Sequence, residues 1–212
     1  SDEIYFTACG SEGNNMAVTG AARPRKHWGN KIVVTGFEHP SVQRPIRALK
    51  DEGFTVVEVM PGADGRIDTQ KFLAEIDKNT VLAACMAVNN ETGAVLPIAD
   101  MVRATRRLSP LALFHTDAVQ GFFKLPFRAK TLGADLISVS GHKIHAAKVT
   151  DDQIVCGRQR IFFPNCAARK TRNAYGIPAL FKLLFGPKSL AGGSRRSNQQ
   201  LHRKWNLTQS RI

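Results

Sequence analysis

The chain of 212 residues has no aspartate or glutamate after Asp152, although its last sixty residues carry twelve lysines and arginines. It lacks a run of the ~18–20 apolar residues that cross a bilayer, and its first residues show no secretory signal. Its four cysteines have no CxxC spacing, which disfavours a disulfide scaffold or a zinc site and favours a reducing compartment. Hydrophobic residues make up 43% of the chain, which excludes disorder throughout its length.

Charge divides the chain into two unlike pieces. Residues 1–150 hold 18 lysines and arginines against 15 acidic residues, whereas residues 151–212 hold 12 against 2. Soluble domains normally mix both signs. The division predicts a folded domain over 1–150 and a basic, weakly ordered tail over 151–212, with residues 192–212 mobile and without a packed core.

The first piece alternates strand-like and helix-like segments. The pattern predicts strands at 4–7, 31–35, 54–60, 80–88, 111–116 and 135–140, with further fragments at 151–154 and 161–163. It predicts helices starting at Glu12 and over 40–52, 68–76 and 98–108, the third capped by Asp68 or Thr69. Near-continuous apolar strands alternating with helices indicate an α/β fold in three layers, with a mainly parallel sheet covered on both faces.

Polar residues follow five of the predicted strands. They are Ser11 beside Gly10, Glu38-His39, Asn89-Asn90, Asp117 with Gln120, and Ser140-Gly141-His142-Lys143. Taken singly, each has an ordinary interpretation as a helix cap, a turn or a surface residue. Ligands of α/β sheets bind at the carboxyl ends of the strands, so we expect these groups to converge at one edge. Together they offer a helix N-terminus for a phosphate, a carboxylate, an imidazole and an amine.

Five motifs in this order resemble those of the class V aminotransferase-like enzymes that use pyridoxal phosphate (PLP). They are FTACGSEGNN, EHPSV, VNNETGAVLPI, HTDAVQ and SVSGHKIHA, spread over residues 4–147. The likeness is strongest to the cysteine desulfurase and selenocysteine lyase family. It implies the large domain of a fold type I PLP enzyme, a homodimer, and conversion of L-cysteine to L-alanine with sulfur left on the enzyme. That activity belongs to sulfur metabolism and iron–sulfur cluster assembly.

The resemblance assigns roles around the PLP ring. Lys143 would form the Schiff base with PLP and later move protons, and Asp117 would pair with the pyridine nitrogen. Gln120 would bond the ring O3′, His39 would stack on the ring, and Asn90 would contact the substrate carboxylate or the O3′ neighbourhood.

The resemblance also implies a phosphate cradle. Ser11, Ser140 and His142 would hold the phosphate together with the backbone N–H groups after Gly10. The family usually has threonine where this chain has Ser11, and serine keeps the hydroxyl donor. The same resemblance implies no metal ligand.

The likeness stops near residue 148. The family's PKG, GGGQE and RSGTE blocks have no counterpart, and neither does its first segment or its C-terminal domain, which carries the sulfur-accepting cysteine and a carboxylate-binding arginine. We therefore expect a chain incomplete at both ends, with low or no turnover. The tail has two interpretations, a disrupted reading frame or misjoined exon, and a natural truncated relative. Cys9 and Cys85 do not fit the acceptor role, and Cys156 or Cys166 remains an alternative.

Other functions stay open from sequence alone. The substrate is cysteine, selenocysteine or another amino acid, and a sulfur-acceptor protein is a possible partner. A non-catalytic relic of the PLP fold is one alternative. A nucleic-acid-binding protein is another, since basic tails bind phosphate backbones; the tail shows no known module or basic helix face, so nucleic acid is not expected. No membrane association is expected. The predicted compartment is the cytoplasm, or an organellar matrix in a eukaryote.

Overall fold

A computed structural model of the chain describes residues 4–7, 9–126, 128–144 and 153–157. The junction predicted near residue 150 lies between two of these ranges. The predicted basic tail beyond residue 157, including the fragment at 161–163, lies outside the described residues.

One sheet of seven strands organises the described residues, in the order β1-β7-β6-β5-β4-β2-β3. The strands are β1 (Ile4–Thr7), β2 (Lys31–Thr35), β3 (Thr55–Val59), β4 (Thr80–Ala84), β5 (Leu113–Asp117), β6 (Leu136–Ser140) and β7 (Gln153–Gly157). Strands β2 to β6 are parallel to one another, and β7 runs antiparallel to both β1 and β6. The predicted mainly parallel α/β sheet is confirmed.

The described helices are α1 (Gly10–Ala22), α2 (Pro40–Asp51), α3 (Thr69–Ala74), α4 (Ile98–Leu108) and α5 (Ala129–Leu132). Helix α1 packs on α2 and on the central strands, while α4 packs on α3, α5 and β5. Every residue of β4, β5 and β6 is buried, which requires cover on both faces of the sheet. The fold therefore has the three layers predicted. None of these described helices is long and apolar enough to cross a membrane.

Small side chains let α1 approach the sheet closely. Ala17 and Ala21 are fully buried in one apolar cluster with Leu82 of β4 and Leu113 of β5. On α4's side, Phe72 of α3 packs against Phe114 of β5, with ring centroids 6.4 Å apart. Burial of this apolar surface is the main favourable contribution to folding.

Most predicted elements match the structure to within two residues, but two strand ends differ by more. β7 ends at Gly157, three residues after the fragment predicted at 151–154, and helix α5 was not predicted. The strand predicted over 80–88 ends at Ala84, the last residue that pairs with β2. Beyond it the N–H of Met86 donates to the side chain of Glu38, although those of Cys85 and Ala87 still donate to carbonyls of β5. Helix α1 begins at Gly10, two residues before the predicted start at Glu12.

Asp68, and not Thr69, caps α3. Its Oδ1 accepts hydrogen bonds from the N–H groups of Gln70 and Lys71. We expect Asp68→Ala to lower the free energy of unfolding by about 1 kcal/mol, because two amide donors lose their acceptor. Thr69→Ala is the matched control and should cost clearly less. Urea denaturation measures both, and equal losses would contradict the assignment.

Candidate functional site

The strand order brings the predicted site segments to a single edge of the sheet. Strands β2, β4, β5 and β6 are parallel, and β1 points the same way because it pairs with β7, which itself opposes β6. Their carboxyl ends therefore meet at one edge. The predicted site residues at or after these ends are Gly10, Ser11, His39, Asn90, Asp117, Gln120, Ser140, His142 and Lys143.

Asp117 is the last residue of β5 and is almost entirely buried. Its Oδ1 accepts from the N–H of Val119 at 2.9 Å, and its Oδ2 accepts from Nδ2 of Asn14 at 2.8 Å. Burial raises the pKa of Asp117, and these two hydrogen bonds and the nearby His39 oppose that rise. A strand end thus presents a carboxyl group whose orientation is fixed from two sides.

His39 lies at the start of α2 and is connected to Asp117 through two buried side chains. Its Nδ1 accepts from the N–H of Ser41 at 3.1 Å and lies 2.7 Å from Oγ of Ser41. That Oγ accepts from Nδ2 of Asn14 at 2.9 Å. His39 itself is exposed at the edge, whereas Ser41 and Asn14 are buried.

The start of α1 supplies a site for an anion. Gly10 is the first helical residue and Ser11 is exposed beside it, while Cys9 forms no side-chain cap. A helix N-terminus attracts negative charge through its free N–H groups and its dipole. This end of α1 lies at the same edge as Asp117.

The end of β6 leads into a short 3-10 helix, Gly141–Ile144. Asp117 pairs with Ser138 in the register, so Ser140 lies two residues further along the neighbouring strand and is buried. Lys143 is exposed. The backbone of His142 is described in this helix, but its side chain lies outside the described part of the structure.

The loop after β4 separates the two adjacent asparagines. Asn89 is buried, its Oδ1 accepts from the N–H groups of Glu91 and Thr92, and its Nδ2 donates to the carbonyl of Phe37. Asn90 is exposed. The first asparagine therefore shapes the loop, and the second is the one left available to a ligand.

Gln120 is half-buried, three residues after Asp117. Its Oε1 accepts a hydrogen bond from Nζ of Lys124 at 3.1 Å. Among the residues that the structure describes, no three His, Cys, Asp or Glu side chains cluster as metal ligands would.

Glu38 is a second buried carboxyl group, directly before His39. Its Oε1 accepts from the hydroxyl of Thr35 at 2.7 Å and from the N–H of Met86 at 2.6 Å. Burial raises the pKa of Glu38 to about 8, and the charge of Asp117 adds to the rise. Glu38 is therefore mainly neutral at pH 7 and ties the loop before α2 to the loop after β4.

Sequence reasoning did not single out Asn14 or Ser41. Asn14 lies on the buried face of α1 among Ala17, Val18 and Ala21. A polar residue within an otherwise apolar helix face is the sequence feature that could have indicated its role. Ser41 stands in the quoted EHPSV motif but lacks any sequence feature that distinguishes it from an ordinary residue of the first helical turn.

Fold and site together define a three-layer α/β protein with a helix N-terminus, a fixed carboxyl group and a lysine at one sheet edge. The family model described as Aminotransferase class-V matches residues 1–150, and the chain belongs to this family. The family resemblance and the fold type I architecture predicted from sequence are confirmed.

The chain is similar to a cysteine desulfurase of Nostoc sp., with 40% identity over 148 residues, covering 69% of this chain and 36% of the relative. A mitochondrial cysteine desulfurase of Eremothecium gossypii is 38% identical over 159 residues, covering 75% of this chain and 32% of the relative. The chain thus spans about a third of the length of these curated relatives.

Solved structures show the same likeness. A NifS-like protein superposes with a TM-score of 0.70 at 31% identity, covering 76% of this chain and 43% of that one. The structure of SspA in complex with cysteine gives a TM-score of 0.68 at 34% identity, covering 74% of this chain and 44% of the other.

Glu38 predicts a specific pH dependence of stability. Because its folded-state pKa of about 8 lies above the ordinary 4.5, the folded protein binds more protons between these values and loses stability as pH rises. We expect Glu38→Gln to abolish that loss. The free energy of unfolding of the variant should therefore rise relative to that of the wild type by about 1 kcal/mol per pH unit from pH 5 to 8. Urea denaturation at several pH values measures it.

The control for this experiment is Glu58→Gln, at an exposed position on β3. Its difference from the wild type should stay constant over the same range. A constant difference for Glu38→Gln as well would contradict a neutral, buried Glu38.

Proposed function

We propose that the chain is the PLP-binding core of a cysteine desulfurase-type enzyme, which converts L-cysteine to L-alanine and transfers the sulfur to a thiol. The observation that carries the proposal is the buried carboxyl group of Asp117, held by Asn14 and Val119 at the end of β5. The neighbouring strand leads directly to Lys143. The names of the relatives favour cysteine as substrate.

The residues present fit PLP. A pyridine nitrogen needs a carboxylate, and Asp117 offers one whose two oxygens are already fixed by N–H donors. A phosphate dianion needs N–H groups and hydroxyls, which the uncapped start of α1, Ser11 and Ser140 would supply with His142. The aldehyde needs an amine, and Lys143 is exposed after β6.

When bound, PLP withdraws electrons from the substrate Cα and so stabilises the negative charge that develops there. Asp117 would keep the ring nitrogen protonated, and its burial would strengthen this attraction because little water screens it. Lys143 would remove and return the proton at Cα. Asn90 would bind the substrate carboxylate or the neighbourhood of the ring O3′, and Gln120 would orient the ring through O3′.

Two cysteines have described side chains, and neither is placed as a mobile sulfur acceptor. Cys9 is exposed but lies at the N-cap of α1, within the proposed phosphate cradle. Cys85 is fully buried, and burial raises the pKa of its thiol, which disfavours the reactive thiolate. The acceptor would be Cys156, Cys166 or a thiol supplied by another protein.

The remaining parts of the proposal concern the context of the chain. We propose that residues 1–150 together with β7 (Gln153–Gly157), which pairs with β1 and β6, form the cofactor-binding domain. The residues after 157 would form a separate basic tail, and the site would work in a homodimer. The compartment would be the cytoplasm or an organellar matrix.

Cofactor binding should depend on Lys143. We expect purified chain mixed with PLP to develop visible absorbance and to retain the cofactor covalently after borohydride reduction. Lys143→Ala should abolish the retained adduct, because Lys143 is the only lysine between β6 and Ile144 among the residues that the structure describes. The control Lys130→Ala changes an exposed lysine of α5 and should leave the adduct intact. Labelling elsewhere on the chain, unaffected by Lys143→Ala, would contradict the proposal.

Cofactor binding and sulfur release should be separable in this chain. We expect binding of PLP with little sulfide or alanine produced from cysteine under reductant, because the described cysteines are unsuited to accept sulfur. Sulfide and alanine assays measure this directly. Turnover of ~1 per second or more, as enzymes commonly show, would contradict this expectation. Loss of that turnover when Cys156 or Cys166 is changed to serine would then identify the acceptor.

A further inference from the structure

Four side chains form a continuous hydrogen-bonded path from Asp117 to His39. Nδ2 of Asn14 donates both to Oδ2 of Asp117 at 2.8 Å and to Oγ of Ser41 at 2.9 Å. Oγ of Ser41 lies 2.7 Å from Nδ1 of His39. The path joins α1, α2 and β5, and its two middle members are buried.

Each hydrogen bond in this path has one permitted direction. An ionised carboxylate only accepts, so Asn14 must turn its NH₂ group, and not its oxygen, toward Asp117. The backbone N–H of Ser41 only donates, so Nδ1 of His39 must carry a lone pair. The hydroxyl of Ser41 then accepts from Asn14 and donates to His39. The ring proton of His39 is consequently on Nε2.

The amide of Asn14 shows that this arrangement is specific. Its Oδ1 is buried and has no hydrogen-bond partner among the residues that the structure describes. An unpaired buried oxygen is unfavourable, and flipping the amide would only place that oxygen against the carboxylate of Asp117. The two donated bonds therefore determine the orientation of Asn14.

We propose that Asn14 and Ser41 are positioning residues, which would fix the carboxylate of Asp117 toward the ring nitrogen of PLP and hold Nδ1 of His39 as an acceptor, with the ring proton on Nε2. The inference rests on the proposed function, because the role of these two residues depends on PLP binding beside Asp117 and His39. Asn14 acts on both ends of the path because its two N–H groups serve different partners. Neither Asn14 nor Ser41 needs to touch the cofactor.

The first experiment reads the tautomer of His39 in the full chain without cofactor. Ring ¹⁵N chemical shifts of histidine-labelled protein distinguish Nε2–H from Nδ1–H, and the spectrum of His39→Gln identifies the signal among the six histidines. We expect the wild type to be mainly Nε2–H. Asn14→Ala and Ser41→Ala should lower the ratio of Nε2–H to Nδ1–H roughly fivefold, as the loss of one ordinary hydrogen bond gives.

Two variants serve as controls for the tautomer. Asn15→Ala removes the same side chain one position along α1, where it is exposed, and should leave the ratio unchanged. Ser41→Thr keeps the hydroxyl and should restore the wild-type ratio. If Asn14→Ala does not fold, Ser41→Ala, which removes a single oxygen atom, decides this arm alone. A ratio equal to the wild type in folded Ser41→Ala would overturn the proposal.

The second experiment compares binding of PLP with binding of 1-deaza-PLP, in which a CH group replaces the ring nitrogen. We expect Asn14→Ala to weaken PLP about tenfold, as loss of a hydrogen bond to a charged group gives, and to leave 1-deaza-PLP unchanged. Asn15→Ala should change neither affinity. Equal weakening of both compounds would show a merely structural role and overturn the proposal.

The two experiments separate this inference from the proposed function. If the wild-type chain binds no PLP, the proposed function fails while the tautomer of His39 still tests the path. If PLP binds and the tautomer ratio of His39 is unchanged in Ser41→Ala, the path is wrong while the proposed function stands.

Discussion

Burial of the carboxyl group of Asp117 at the end of β5 is the constraint on which the rest of the site depends. A charge removed from water must find donors, and here they come from the following backbone and from Asn14 on α1. Since α1 delivers one donor, its axis and its first residue are fixed relative to β5. The N-terminal end of α1 and the carboxyl group therefore lie at the same edge of the sheet.

Burial raises the pKa of both carboxyl groups at this edge, but their hydrogen bonds differ. Asp117 accepts from two N–H donors on separate oxygens, which favours the ionised form against the effect of burial. Glu38 has its donors on a single oxygen, and Oε2 has no partner in the described part of the chain. Two like charges in a medium of low dielectric repel, so neutral Glu38 supports ionised Asp117.

The local sequence pattern was enough to predict a mainly parallel sheet and the edge at which the site segments lie. Apolar, β-branched runs such as 31–35 mark buried strands, and the polar residues after them must gather where parallel strands end. The pattern could not reveal Asn14 as a donor to Asp117, because the two residues are 103 positions apart. It also could not show that, beyond the end of β4, the N–H of Met86 donates to Glu38. Such contacts exist only after tertiary packing.

The position of β7 between β1 and β6 also constrains the order in which the protein can be completed on the ribosome. β1 pairs with β7, and Thr7 meets Gln153 in the register. At 5–20 residues per second, the intervening segment takes about 7–30 seconds to synthesise. During that interval the nascent β1 has no β7 to pair with, although α1 follows it immediately. β1 thus leaves the ribosome before strands β2 to β6 and yet is among the last to enter the sheet, and its edge is open to other partners meanwhile.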